Sequence, residues 1–117
     1  IATADLAGSI RFYRKMLGLK VEKRFRFEDE TCVFLSHAGI RIELCGLNLT
    51  RTNRRRPAFS KNPTHLAMRV KNLGEWMKRL AKKNLRPDEG PFQLKNGIKT
   101  VFYRGPGGEI LEFLETG

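Results

Sequence analysis

Gly39-Ile40-Arg41-Ile42-Glu43-Leu44 and Gly108-Glu109-Ile110-Leu111-Glu112-Phe113 are the two stretches that decide the fold. Both read glycine, two residues, an aliphatic, glutamate, an apolar residue, and they stand 69 positions apart. Outward from them the repetition continues. Asp5 is a good N-cap for a run in which Leu6, Ile10, Tyr13 and Leu17 share one helical face before Gly18 ends it. Asn72 caps a second run with Leu73, Met77 and Leu80 on its stripe and Trp76 beside it, fading at Lys83-Asn84. Asp5, Leu6, Ile10 and Tyr13 match Asn72, Leu73, Met77 and Leu80 at an offset of 67, so one two-residue insertion reconciles the two copies.

Strands are predicted after each helix: residues 21–27, 31–36 and 40–45 in the first copy, and 90–94, 98–104 and 109–114 in the second. The second copy opens with a strand over 64–70, of whose mate only Ile1-Ala2-Thr3 remain. At the helix offset, the equivalent of His65 falls three residues before Ile1. The chain thus reads as an α+β fold, a duplicated strand-helix-three-strand unit within a single domain over 1–117. Module one takes 1–47 and lacks most of its first strand. A polar linker over 48–63, with Arg51, Arg54, Arg55, Arg56 and Lys61, is expected as an exposed crossover, and module two takes 64–117.

At 117 residues and +11 formal charge, the chain is one domain of ordinary size with a leaning toward anionic partners. No apolar run approaches the length of a membrane span, and Asp5 and Arg11 break the first apolar stretch, so neither membrane nor signal peptide is expected. Cys32 and Cys45 form no zinc spacing and no redox pair in sequence, which points to a reducing cytoplasm. If Ala38-Gly39 is the tight turn of a hairpin, His37 pairs with Ile40 and Cys32 comes opposite Cys45, expected there as two reduced, packed thiols. The Arg54-Arg55-Arg56 run lacks interleaved aromatics, so nucleic acid is not the expected partner.

Alternation along strands places Glu43 with Arg41 and Cys45, opposite Ile42 and Leu44. Glu112 shares a face with Ile110 and Leu114, and His65 with Ala67 and Arg69. Each of these strands offers one metal-competent side chain on the face that does not meet a helix. A histidine and two carboxylates suit Zn, Ni, Mn or Fe. Two repeat-equivalent glutamates, with a histidine whose twin precedes Ile1, imply a four-membered set of pseudo-twofold symmetry. Arg41 and Arg69 flank these positions as candidate binders of a substrate carboxylate or phosphate.

Ala2-Thr3-Ala4-Asp5-Leu6, Ser9-Ile10-Arg11-Phe12-Tyr13, Leu17-Gly18-Leu19, Ile42-Glu43-Leu44, His65-Leu66-Ala67-Met68, and Pro106-Gly107-Gly108 leading to Leu111-Glu112-Phe113 carry a likeness to a known family. Together they resemble the vicinal oxygen chelate superfamily, the glyoxalase, bleomycin-resistance and extradiol dioxygenase fold. The resemblance implies two tandem βαβββ modules forming a curved mixed sheet around a metal-binding cleft, in a homodimer. It implies a divalent metal (Zn, Ni, Mn or Fe) on Glu43, His65 and Glu112, with the fourth ligand upstream of Ile1.

Departures narrow the choice. Gly105-Pro106-Gly107-Gly108 stands where the family has Asp-Pro-Asp-Gly, and Ala2 where bacterial glyoxalase I has a glutathione-contacting arginine. Glu43 favours a glyoxalase-like centre over epimerases, fosfomycin-resistance enzymes and dioxygenases. The expected activity is a metal-dependent lyase or isomerase that abstracts a proton next to a carbonyl of an anionic small molecule. Glu112 and Glu43 are the candidate bases, with Glu112 preferred by resemblance. The alternative is a non-catalytic binding or fosfomycin-type resistance protein of the same fold. A basic nucleic-acid-binding module is the remote one.

Overall fold

The computed structural model describes residues 1–47 and 64–116; the linker expected over 48–63 lies outside the described residues. The chain divides into two compact units, Ile1–Asn62 with Pro106–Gly108 and Pro63–Gly105 with Glu109–Gly117. Each has its own four-stranded mixed sheet and one helix.

The first unit runs β1 (Ala2–Thr3), α1 (Leu6–Leu17), β2 (Lys20–Phe27), β3 (Glu30–His37) and β4 (Ile40–Gly46). Its sheet order is β1-β4-β3-β2, with β1 parallel to β4 through Ala2↔Cys45 and the remaining pairs antiparallel. Helix α1 begins where Asp5 Oδ1 accepts the Gly8 N–H at 2.9 Å, satisfying one of the first-turn donors. It ends at Gly18, whose φ of 70° is the left-handed cap that glycine adopts without a Cβ clash. The helix packs on β4. Ile10, Tyr13 and Met16 are buried along it, and Val33, Leu35 and Leu44 are buried in the sheet.

Ala38 and Gly39 turn β3 into β4 with φ of 51° and 84°. Positive φ at both central residues matches the twist of a two-residue hairpin. That turn sets the register His37↔Ile40, and hence Cys32↔Cys45. The opposition is as expected, but the sulfurs are not two separate thiols: Cys32 and Cys45 form a disulfide. The correction has a simple cause. Directly opposed residues of an antiparallel pair come close, here 4.2 Å between Cα atoms, and two cysteines on one face then meet sulfur to sulfur.

The second unit runs β5 (His65–Arg69), α2 (Leu73–Lys82), β6 (Glu89–Gln93), β7 (Lys99–Arg104) and β8 (Ile110–Glu115). Its order, β5-β8-β7-β6, repeats that of the first unit strand for strand. Asn72 Oδ1 accepts the Glu75 N–H at 3.0 Å, and the Leu73 N–H donates to Glu115 Oε1 at 2.8 Å, which ties the start of α2 to β8. Leu73, Leu80, Val101, Tyr103, Leu111 and Phe113 are buried, and Trp76 stacks on Phe113 at 5.3 Å between ring centroids. Gly105 is closed to any side chain, because a Cβ there would run into the Glu109 carboxyl. The glycine before Pro106 therefore has a steric reason. No helix among the described residues is long and apolar enough to cross a membrane.

Candidate functional site

In the second unit, Leu111 and Phe113 of β8 are buried on the face toward α2, so Glu112 must project from the other face. The register brings three strands to that face. Ala67 of β5 and Phe102 of β7 stand directly beside Glu112, with His65 one step along β5 and Thr100 one step along β7. His65 Nε2 lies 3.0 Å from Glu112 Oε1, and Thr100 Oγ1 donates to Glu112 Oε2 at 2.6 Å. An ionised carboxylate only accepts, so the His65 tautomer that bonds to it is the one carrying its proton on Nε2. Each carboxylate oxygen is held once and keeps a second lone pair.

The setting is asymmetric. The His65 side chain is 45% exposed while that of Glu112 is 17% exposed, and Thr100 is buried. Water therefore reaches the imidazole more readily than the carboxylate. Thr100 escaped the sequence reading because a threonine on a strand carries no signal of its own. Its place follows only when the β7–β8 register is known, since it pairs with Leu114 and sits diagonal to Glu112.

In the first unit, Glu43 of β4 stands opposite Phe34 of β3. Cys45 Sγ lies 3.6 Å from Glu43 Oε1 on the same face. Arg41 pairs with Glu22 through both Nε and Nη2, and its guanidinium lies 5.3 Å from the Phe34 ring centre. Glu22 is held below the usual carboxylate range, first by a hydrogen bond from Ser36 and then by Arg41. A hollow of about 490 Å³ beside the β3–β4 turn is lined by Glu22, Ser36, His37 and Arg41 among others. Arg69 of β5 is exposed two residues beyond Ala67, on the His65 side of its strand.

Of the sequence-derived site residues, His65 and Glu112 are in direct contact, while Glu43 and Arg41 belong to the other unit. Among the described residues no three His, Cys, Asp or Glu side chains form a group able to hold a metal ion. The His65–Glu112 pair supplies two donors of the types that bind a divalent ion, here hydrogen-bonded to one another at 3.0 Å.

These features have relatives. The Glyoxalase/Bleomycin resistance protein/Dioxygenase superfamily matches residues 1–113, and the chain belongs to that family. No curated protein sequence matches it significantly. Similar solved structures include a lactoylglutathione lyase from Agrobacterium tumefaciens, at 20% identity and TM-score 0.72 over 98% of this chain and 88% of that one. A mutant of the fosfomycin resistance protein FosX from Listeria monocytogenes, complexed with Mn(II) and 1S,2S-dihydroxypropylphosphonic acid, aligns at 11% identity. Its TM-score is 0.76 over 100% of this chain and 88% of that one. An integron cassette protein from the mobile metagenome of Vibrio cholerae aligns at 22% identity and TM-score 0.70, over 100% and 91%. At such identities the likeness speaks for the fold.

Proposed function

We propose that this protein is a glyoxalase-like lyase or isomerase that moves a proton on the carbon next to a carbonyl of an anionic small molecule, with Glu112 as the base. The observation that carries this reading is the Glu112 carboxylate, gripped on one oxygen by Thr100 Oγ1 and on the other by His65 Nε2. Such a grip costs nothing at the moment of reaction, because the carboxylate is oriented before substrate arrives. A remaining lone pair accepts the substrate proton and returns it to the neighbouring carbon or oxygen. His65, through Nε2, keeps the carboxylate turned toward the open side of the sheet.

In the second unit His65 and Glu112 are the proposed holders of a divalent ion, and in the first unit Glu43 is the candidate holder. When bound, that ion would supply Lewis-acid stabilisation of an enediolate. The excess of Lys and Arg, 23 against 12 Asp and Glu, favours an anionic substrate.

The test is incorporation of solvent deuterium at the α-carbon of a panel of α-hydroxy acids, α-hydroxy ketones and thiohemiacetals, with Zn, Ni or Mn added in turn. Exchange that is present in the wild type and lost in Glu112→Gln supports the reading. The amide keeps the shape and loses the proton acceptor. Exchange that persists in that variant moves the base elsewhere. Metal binding with no exchange on any substrate leaves a binding or resistance protein as the better account.

A further inference from the structure

The glutamate of each unit is the first member of a ladder that runs across three strands. In the first unit Glu43 pairs with Phe34, whose ring lies 5.0 Å from that of Phe25 on β2. In the second, Glu112 pairs with Phe102, whose ring lies 6.3 Å from that of Phe92 on β6. A carboxylate on the last strand thus begins a shelf of two phenylalanines in both copies.

The shelves differ in what lies on them. Over Phe34 the flat guanidinium of Arg41 sits at 5.3 Å, itself fixed by Glu22. The repeat equivalent of Arg41 is Ile110, which has no flat charged group to lay on a ring. On the second shelf the His65 ring stands tilted beside Phe102, and among the described residues the outer part is bare: Phe92 is 46% exposed, and Leu94, just past the same strand, is 48% exposed. Exposed large apolar side chains next to a polar reactive pair call for an occupant. The first unit shows which shape such a shelf accepts, namely a planar group lying across a ring.

We infer that Phe102 and Phe92 form a subsite for a flat aromatic ring on the substrate, carried close to the oxygen-bearing carbon whose proton Glu112 takes. This rests on the reading of His65, Thr100 and Glu112 as the reactive centre and names the class of molecule that centre would serve: aryl-substituted hydroxy or oxo acids in place of their alkyl counterparts. The geometry agrees. Phe102 is the direct cross-strand neighbour of Glu112, and its ring centre is 6.1 Å from that of His65. A ring resting on the shelf would therefore have its substituent carbon at the carboxylate.

Three probes with one head group separate the possibilities: lactate, mandelate and hexahydromandelate, which carry a methyl group, a phenyl ring and a saturated puckered ring. Binding is followed by NMR titration of the whole chain without added metal, so no turnover is needed. Mandelate is expected to bind at least tenfold more tightly than lactate and severalfold more tightly than hexahydromandelate. Phe92→Ala, an exposed position whose loss leaves the core intact, and Phe102→Leu should each bring mandelate toward lactate. Phe34→Leu should leave the preference unchanged.

Equal affinity for mandelate and lactate overturns the inference. So does a preference that survives both Phe92→Ala and Phe102→Leu, or one that Phe34→Leu removes. A mandelate preference without α-proton exchange would keep the subsite and sink the catalytic reading. Exchange on lactate without a mandelate preference would do the reverse.

Discussion

Thr100 Oγ1 donates a 2.6 Å hydrogen bond to Glu112 Oε2 from the neighbouring strand, and the threonine is buried. The contact fixes one oxygen of the proposed base while leaving the other to His65. On the proposed reading Thr100 is a positioning residue.

Thr100→Val keeps the size and removes the donor. Hydrogen bonds to charged groups contribute about 1.5–3 kcal/mol, so the rate of α-proton exchange should fall about 10- to 100-fold with KM little changed. Thr100→Ser should restore most of it. A fall in substrate affinity with unchanged turnover would place Thr100 in binding instead of in orienting the base.

Metal affinity should track each of the proposed donors. Dialysis against a strong chelator is expected to abolish exchange and added Mn, Ni or Zn to restore it. Glu43→Gln and His65→Ala should each weaken metal binding in calorimetry by at least tenfold, since a neutral amide or a methyl replaces a ligand. Glu43→Gln with wild-type affinity would remove Glu43 from the proposed donors.

Tyr103 is buried, and its hydroxyl has no hydrogen-bond partner among the described residues. Tyr103→Phe should be neutral or stabilising by up to about 1 kcal/mol, because no hydrogen bond is lost and a dehydrated hydroxyl is removed. The pH dependence has a definite sign. Burial raises the Tyr103 pKa above its ordinary value near 10. Above about pH 10 the unfolded chain therefore releases a proton that the folded chain keeps, and stability falls as pH rises. Denaturant midpoints of wild type and Tyr103→Phe should differ little at pH 7 and diverge in favour of the variant above pH 10. Parallel curves throughout would mean that the hydroxyl reaches water or a partner.

The Cys32–Cys45 disulfide closes a loop spanning a sequence separation of 13 residues. On the chain-entropy estimate a loop of this size stabilises by about 3 kcal/mol. Alkylation of the denatured protein should label no cysteine until a reductant is added, and reduction should lower the denaturant midpoint accordingly. Two labelled cysteines before reduction would return the pair to the reduced state that the sequence suggested.

Much of this architecture is legible in the sequence alone. The two Gly-x-x-aliphatic-Glu-apolar stretches, with Asp5 and Asn72 as caps, specify local structure through short-range sterics and hydrogen bonding. These act within a few residues, so both helices, the Ala38-Gly39 hairpin and the opposition of Cys32 and Cys45 could be read directly. Strand alternation likewise put His65 and Glu112 each on the face away from the helix. The sequence could not say that these two would touch. Their contact depends on β5 lying parallel to β8 in one register, a pairing between segments 47 residues apart that is set by how Leu111 and Phe113 bury under α2. Thr100 and the Phe102–Phe92 shelf depend on the same sheet order. A lone threonine or phenylalanine acquires its role from its neighbour across the ladder, and only the folded sheet decides which neighbour that is.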